Sequence, residues 1–194
     1  MQQSELMSQV LAKAAKERIP FNVLVELNYS CNLRCVHCYV EDDRLKGAKS
    51  DEDLSADELE GVFRRLAKMG TMYLVFSGGE PLLRKDFMDI ARRARRAGLL
   101  FKLFTNATLL GEEKVAELVE LKPVAVEVSL HGPTAAVHEA ITRRPGSFDK
   151  AVAAVRALVG KGVRVAIKTS FMRGNFDAFP AMKRLAGDLG AEYR

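Results

Sequence analysis

Long apolar runs are missing from this 194-residue sequence: no stretch approaches the roughly 20 residues that a membrane-spanning helix needs. The opening segment, MQQSELMSQVLAKAAKERIP, lacks both a hydrophobic leader core and a cleavage pattern, so a cytoplasmic location is expected. Cysteine is scarce, with three residues in all, at 31, 35 and 38. An odd number so closely spaced excludes a disulfide framework, because such bridges gain their value by closing separated loops. Three neighbouring thiols in a reducing compartment point to a metal or a cluster instead. The basic segment RKDFMDIARRARRAG has no interleaved aromatic residues, which argues against a nucleic-acid surface despite a net charge of +5. It reads as a helix burying Phe87, Ile90, Ala91 and Ala94, with Arg92, Arg93, Arg95 and Arg96 on its solvated margins.

Proline is absent from every stretch that reads as a strand. After an amphipathic N-terminal segment over residues 1–20, five such stretches are predicted: Phe21–Leu27, Met72–Phe76, Phe101–Thr105, Val124–Leu130 and Arg164–Phe171. Helical patterns separate them. The first opens with a capping box, Ser55 with Glu58, buries Leu59, Phe63 and Leu66, and stops at Gly70. Another runs from Glu112 to Leu121, ahead of Pro123. Ser147 is placed to cap a further helix, and the last pattern, Phe176–Leu189, is periodic at Phe176, Phe179, Met182 and Leu185. A charged linker occupies Glu41–Asp53. Regular alternation of strand and helix specifies an α/β fold with a parallel sheet, either an open doubly wound sheet or a partial (β/α) barrel. Either arrangement puts its functional loops at the carboxyl ends of the strands. Residues 21–194 form this unit, and the sequence stops after the fifth strand and its helix, at GAEYR, where a sixth would begin. The expectation is an N-terminal part of a longer protein; the alternative is a short enzyme whose bare sheet edge is covered in a homodimer.

The cysteines follow the first strand directly, in NYSCNLRCVHCY, spaced Cys-x3-Cys-x2-Cys. Three thiolates can hold three irons of a 4Fe-4S cluster and leave the fourth open to a ligand. Zinc is the competing reading, with His37 as a fourth ligand, but His37 sits between two of the cysteines where tetrahedral closure is awkward.

A second motif, SGGEPLL from Ser77 to Leu83, ends the second strand. CNLRCVHCY followed by SGGEPLL, each at a strand end and in this order, resembles the signature of the radical S-adenosylmethionine (SAM) superfamily over nearly the whole chain. The resemblance implies that Cys31, Cys35 and Cys38 hold a 4Fe-4S cluster. It further implies that Gly78, Gly79 and Glu80 receive the ammonium group of SAM and that Tyr39 packs beside its adenine. TNA resembles the family's Thr-Asn-Gly element, giving Asn106 a cofactor role with Ala107 in place of the glycine, and Ser129 resembles the serine that reaches the methionine or ribose end. His131 stands where many relatives have aspartate. His138, Arg143, Arg144, Glu127, Lys168 and Ser170 are further candidates; Glu127 and Lys168 are equally suited to pair with each other across adjacent strands.

As activity, the resemblance implies reductive cleavage of SAM to a 5'-deoxyadenosyl radical that abstracts hydrogen from a substrate, so the lack of a conventional catalytic triad is no objection. The branch indicated includes peptide and protein maturases, anaerobic sulfatase-maturating enzymes, and enzymes of pyrroloquinoline quinone or haem synthesis. Its members imply a peptide or protein side chain as substrate, with a small-molecule or tetrapyrrole precursor as the alternative, and a reductant such as flavodoxin or ferredoxin as partner. A non-catalytic cluster- and SAM-binding relative is a further alternative.

Overall fold

Six strands pair side by side in chain order, every pair parallel, as β1 (Asn22–Glu26), β2 (Tyr73–Ser77), β3 (Leu100–Thr105), β4 (Ala125–Ser129), β5 (Val165–Lys168) and β6 (Glu192–Tyr193). The fold comes from a computed structural model that describes residues 2–40 and 53–194. Among these, β1 and β6 do not pair, so the sheet is an open, partial barrel. All but the last residue of the charged linker lies outside the described residues. The helices are α1 (Gln2–Lys16), α2 (Ala56–Lys68), α3 (Phe87–Arg96), α4 (Glu112–Glu120), α5 (Ala135–Thr142), α6 (Ser147–Gly160) and α7 (Phe179–Asp188). None of them is long and apolar enough to cross a membrane.

Strand residues alternate between two unlike faces. Leu74 and Phe76 of β2, Phe101 and Leu103 of β3, Val126 and Val128 of β4, and Ile167 of β5 are fully buried on the face that the helices cover. Phe76 sits at the centre, its ring 5.4 Å from Phe101, 5.9 Å from Phe87 and 6.0 Å from Phe63. These separations suit edge and tilted aromatic packing. The other face carries Leu24, Val75, Lys102, Phe104, Glu127 and Lys168 and, among the described residues, has no helix packed on it; Leu24 there is 56% exposed.

The capping box forms as the sequence requires. The Glu58 N–H donates to Ser55 Oγ at 3.3 Å, and the Ser55 N–H donates to Glu58 Oε2 at 2.8 Å. Arg93, expected at a solvated margin, instead joins α3 to α2, at 2.6 Å from both Asp57 and Glu60 and 2.7 Å from Asp89.

Four details depart from the sequence reading. GAEYR contributes a sixth strand, Glu192–Tyr193, held where the Arg194 N–H donates to Ile167 O at 3.0 Å; two residues are too few for an alternating pattern to show. AAVHEAIT folds as a helix of its own, α5. Gly146, at φ +76°, occupies the cap position of α6, and Ser147 turns inward, its Oγ 2.8 Å from Thr142 Oγ1. The last helical pattern splits at Phe179, because Pro180 lacks an N–H and belongs in a first turn. Phe176 then lies in a preceding 3-10 turn and is 70% exposed, while Met182 is buried.

Candidate functional site

One cavity of about 300 Å³ opens at the carboxyl ends of the strands, and its wall includes all three cysteines. That volume is at the lower end of the range for small-molecule sites. Around it stand Tyr39, Ser77, Gly78 and Gly79, then Phe104, Thr105, Asn106, Ser129, His131 and Ser170 from the ends of β3, β4 and β5. Residues far apart in sequence converge because every parallel strand delivers its loop to the same edge.

The cysteine loop is held from three sides by backbone and amide groups. Its Arg34 and Val36 N–H groups donate to the carbonyls of Thr142 and Ile141 at 3.1 and 2.9 Å, so the last turn of α5 uses its unpaired acceptors to dock the loop. From β3, Asn106 Nδ2 donates to Asn32 Oδ1 at 2.9 Å and approaches Cys31 Sγ at 3.8 Å. From β2, the Gly79 and Glu80 N–H groups donate to Asn28 O and Ser30 O, both at 2.8 Å. This last contact explains the paired glycines. A Cβ on Gly78, whose φ is +135°, would lie 2.2 Å from Asn28 O, and one on Gly79 would lie 2.3 Å from Ser30 O. Two backbones touch here with no room for a side chain.

Glu80 is placed differently from Gly78 and Gly79. Fully buried behind the loop, it accepts from Thr105 Oγ1 at 2.7 Å, the Asn106 N–H at 2.8 Å and the Leu82 N–H at 3.1 Å. Burial pushes its carboxyl above the usual range, and these bonds act in the opposite direction. Its carboxylate clamps the end of β3 to the β2 loop and is not among the groups lining the cavity.

Tyr39 stands at the mouth, its ring largely exposed and its hydroxyl donating to Glu26 Oε1 at 2.6 Å. Ser129 is half-buried on the wall. His131 is buried, with His37 edge-on at 4.6 Å and His138 stacked at 5.9 Å. The Ser170 N–H donates to His131 Nδ1 at 3.3 Å and the His131 N–H to His138 Nδ1 at 3.0 Å, assigning the remaining proton of each ring to Nε2. Burial holds His131 down to about 3 and His138 down to about 4, so both are neutral at physiological pH. Arg143, at φ +54°, ends α5; it and Arg144 are exposed and outside the cavity wall. Glu127 and Lys168 do pair, at 2.6 Å.

All three cysteines are free thiols. Burial, then the neighbouring Cys31 and Cys38, push the Cys35 thiol up to about 12, and burial also raises Cys31. Thiols that share one wall, two of them partly buried, repel as thiolates and need a cationic centre among them to ionise. Among the described residues, no three His, Cys, Asp or Glu side chains converge as ligands of one ion. A four-iron cluster spreads its thiolates over separate irons, so the donor set suits a cluster.

Asn28, Asn32 and Thr108, which brace the loop, went unnoticed in the sequence. The available signal was a pair of asparagines, at 28 and 32, on either side of the first cysteine, whose amides bond Glu80 O and Thr108 Oγ1.

A family model described as the Radical SAM superfamily matches residues 25–185. The AdoMet-dependent heme synthase of Methanosarcina barkeri is 33% identical over 91% of this chain and 50% of its own length. The mycofactocin maturase MftC of Mycolicibacterium smegmatis is 34% identical over 90% of this chain and 44% of its own. The chain thus spans about half the length of the curated relatives it matches. In fold, it superposes on Streptococcus suis SuiB bound to precursor peptide SuiA with a TM-score of 0.78 at 16% identity, covering 96% of this chain and 42% of that one. The strand-end thiols, the glycine loop packed against them and the match over residues 25–185 agree, and the chain belongs to the radical SAM superfamily.

Proposed function

We propose that this chain is the cluster- and cofactor-binding part of a radical SAM enzyme that modifies a side chain of a peptide or protein. The observation that carries the reading is the convergence of Cys31, Cys35 and Cys38 with Gly78, Gly79, Asn106 and Ser129 on one cavity. When bound, the 4Fe-4S cluster and SAM supply a 5'-deoxyadenosyl radical on one-electron reduction, the chemistry general to the family.

The chain's own residues have five tasks. Cys31, Cys35 and Cys38 would hold three irons, and loading would release their protons, so it should strengthen as pH rises. Asn106, through Asn32 and Cys31, fixes the loop that presents them. Gly78 and Gly79 keep the wall free of side chains where the methionine end of SAM would lie, leaving backbone carbonyls to accept from its ammonium group. Tyr39, anchored through Glu26, offers an exposed ring at the mouth for an adenine face. Phe104 supplies an apolar part of the cavity wall that limits water there. A flavodoxin or ferredoxin is the proposed reductant.

The peptide reading draws on a relative named as a mycofactocin maturase and a structural neighbour holding a precursor peptide. A second reading, a tetrapyrrole or other small-molecule substrate, draws on the similarly close relative named as a heme synthase. The test is anaerobic iron-sulfur reconstitution, dithionite reduction, addition of SAM and mass spectrometry for 5'-deoxyadenosine, with Cys35→Ala as control. Product in the native chain and none in the control is the expected result. A fully formed cluster that yields no product would reject turnover by this chain and favour a non-catalytic relative.

A further inference from the structure

Glu127 is a buried carboxylate in the middle of β4, on the helix-free concave face. Three cations reach it. Lys168 Nζ is 2.6 Å from Oε2, in contact but not aligned as a hydrogen bond; Arg194 Nη1 is 3.4 Å and Lys102 Nζ 3.9 Å from Oε1. Strand register explains the gathering. Glu127 lies beside Phe104 and Ala166, Lys102 and Lys168 stand two residues away on the same faces of β3 and β5, and small Ala125 and Ala166 leave the space between them open.

One carboxylate neutralises one of these cations. Among the described residues, the other acid that pairs with these cations, Glu192, is shared between Arg194 and Arg164. Among the described residues, four cations (Lys102, Lys168, Arg194 and Arg164) thus face two carboxylates, two positive charges in excess, and the three that reach Glu127 are 29% (Lys102), 44% (Lys168) and 36% (Arg194) exposed. A group meant to balance Glu127 alone needs one partner. Like charges drawn together on a concave wall repel one another, and an incoming anion relieves that repulsion. The position also matters: Ser129, next on this face of β4, and Phe104, whose ring lies 4.2 Å below the Lys168 ammonium, both line the SAM cavity.

We propose that Lys102, Lys168 and Arg194, gathered around Glu127, form a subsite for a carboxylate of the peptide substrate on the floor of the cup beside the cofactor cavity. The inference rests on the peptide reading above. Glu127 holds the cations in place, and their remaining donors form charge-assisted bonds to the substrate. A side-chain carboxylate and a peptide C-terminus share this chemistry.

The test uses the reconstituted chain with SAM bound and three peptides: acetyl-Ala-Glu-Ala-amide, acetyl-Ala-Gln-Ala with a free C-terminus, and the neutral acetyl-Ala-Gln-Ala-amide. Calorimetric titration at low salt should show at least one acidic peptide binding about tenfold or more tightly than the neutral one. Which acidic peptide wins identifies the source of the carboxylate. That preference should fall towards unity in Lys168→Met and in Lys102→Met, whose folding is checked by circular dichroism. Equal binding of all three peptides, binding of none, or a preference that survives in both variants would overturn the subsite. Release of 5'-deoxyadenosine, measured on the same samples, separates the two readings: its loss in the native chain counts against the radical enzyme, whereas the charge preference concerns the subsite alone.

Discussion

The two faces of the sheet are built from the same strands and have little else in common. On the convex face, Leu74, Phe76, Phe101, Leu103 and Val126 are fully buried under helices. On the concave face, their sequence neighbours are a half-exposed Leu24, a phenylalanine lying under an ammonium group, and a carboxylate surrounded by three cations. Stability is therefore concentrated on one side, and polar, strained or charged groups are tolerated on the other. A residue shift of one along any strand would exchange the two roles.

The sharpest expression of this division is Cys35→Ala. The cluster and all 5'-deoxyadenosine above background should be lost, while the metal-free protein melts within about 4 °C of the native chain, the equivalent of about 1 kcal/mol. A large fall in melting temperature would show that the cysteine loop supports the fold and is not merely carried by it. Conversely, Phe76→Ala should cost about 3–5 kcal/mol in chemical denaturation, since it opens the centre of the aromatic cluster. Leu24→Ala, on the exposed face of β1, should cost under about 1 kcal/mol. Comparable losses for the two would erase the distinction between the faces.

Gly79→Ala tests the contact between the two functional loops. Its new Cβ would meet backbone oxygens of Ser30 and Tyr29 at 2.3 and 2.4 Å, atoms that cannot swing aside. The expected cost is about 1–3 kcal/mol, together with poorer cluster retention, read from iron content after gel filtration. Undiminished iron content would mean that the loops can separate without disturbing the thiols.

Another effect comes from acid. His131 and His138 are neutral when folded, down to about 3 and about 4, but in the unfolded chain each takes up a proton near the ordinary value of about 6.5. Between those limits the unfolded state binds more protons, so their contribution is fully present above pH about 6.5 and declines as pH falls through the folded values. Melting curves from pH 7 to 5 should show this decline, and His138→Gln should flatten it. An unchanged slope in the variant would place the acid sensitivity elsewhere.

Much of this was legible beforehand, for identifiable reasons. The stripe Phe87, Ile90, Ala91 and Ala94 is buried as its spacing requires, and Cys31, Cys35 and Cys38 share a wall because the strand before them ends at the common edge. What sequence could not convey was the use made of particular side chains. Glu80 looks like a ligand in SGGE, yet three donors from β3 and its own turn enclose it. Ser147 has the residue type of a cap, but the left-handed Gly146 before it leaves its hydroxyl to Thr142. The first outcome depends on β3, 25 residues away in the chain, and the second on the left-handed backbone of Gly146; periodicity records neither.

Ala107 yields a small effect of the opposite sign. It follows Thr105 and Asn106 at the edge of the site and replaces the glycine of the related Thr-Asn-Gly element. Its φ is +60°, so the left-handed turn forms despite the methyl group. The bonds around it explain how: Thr105 Oγ1 accepts the Ala107 N–H at 2.9 Å, and Asn106 Oδ1 accepts the Thr108 N–H at 3.0 Å. An L-residue in this region is strained by roughly 1–2 kcal/mol. Glycine would remove that strain, while its greater freedom in the unfolded chain would offset about 0.4–1 kcal/mol of the gain. Ala107→Gly should therefore stabilise the protein by up to about 1.5 kcal/mol in urea denaturation and leave iron content unchanged. Destabilisation would show that the buried methyl group contributes more through packing than its backbone costs, and that strain at the edge of the concave site is compensated locally.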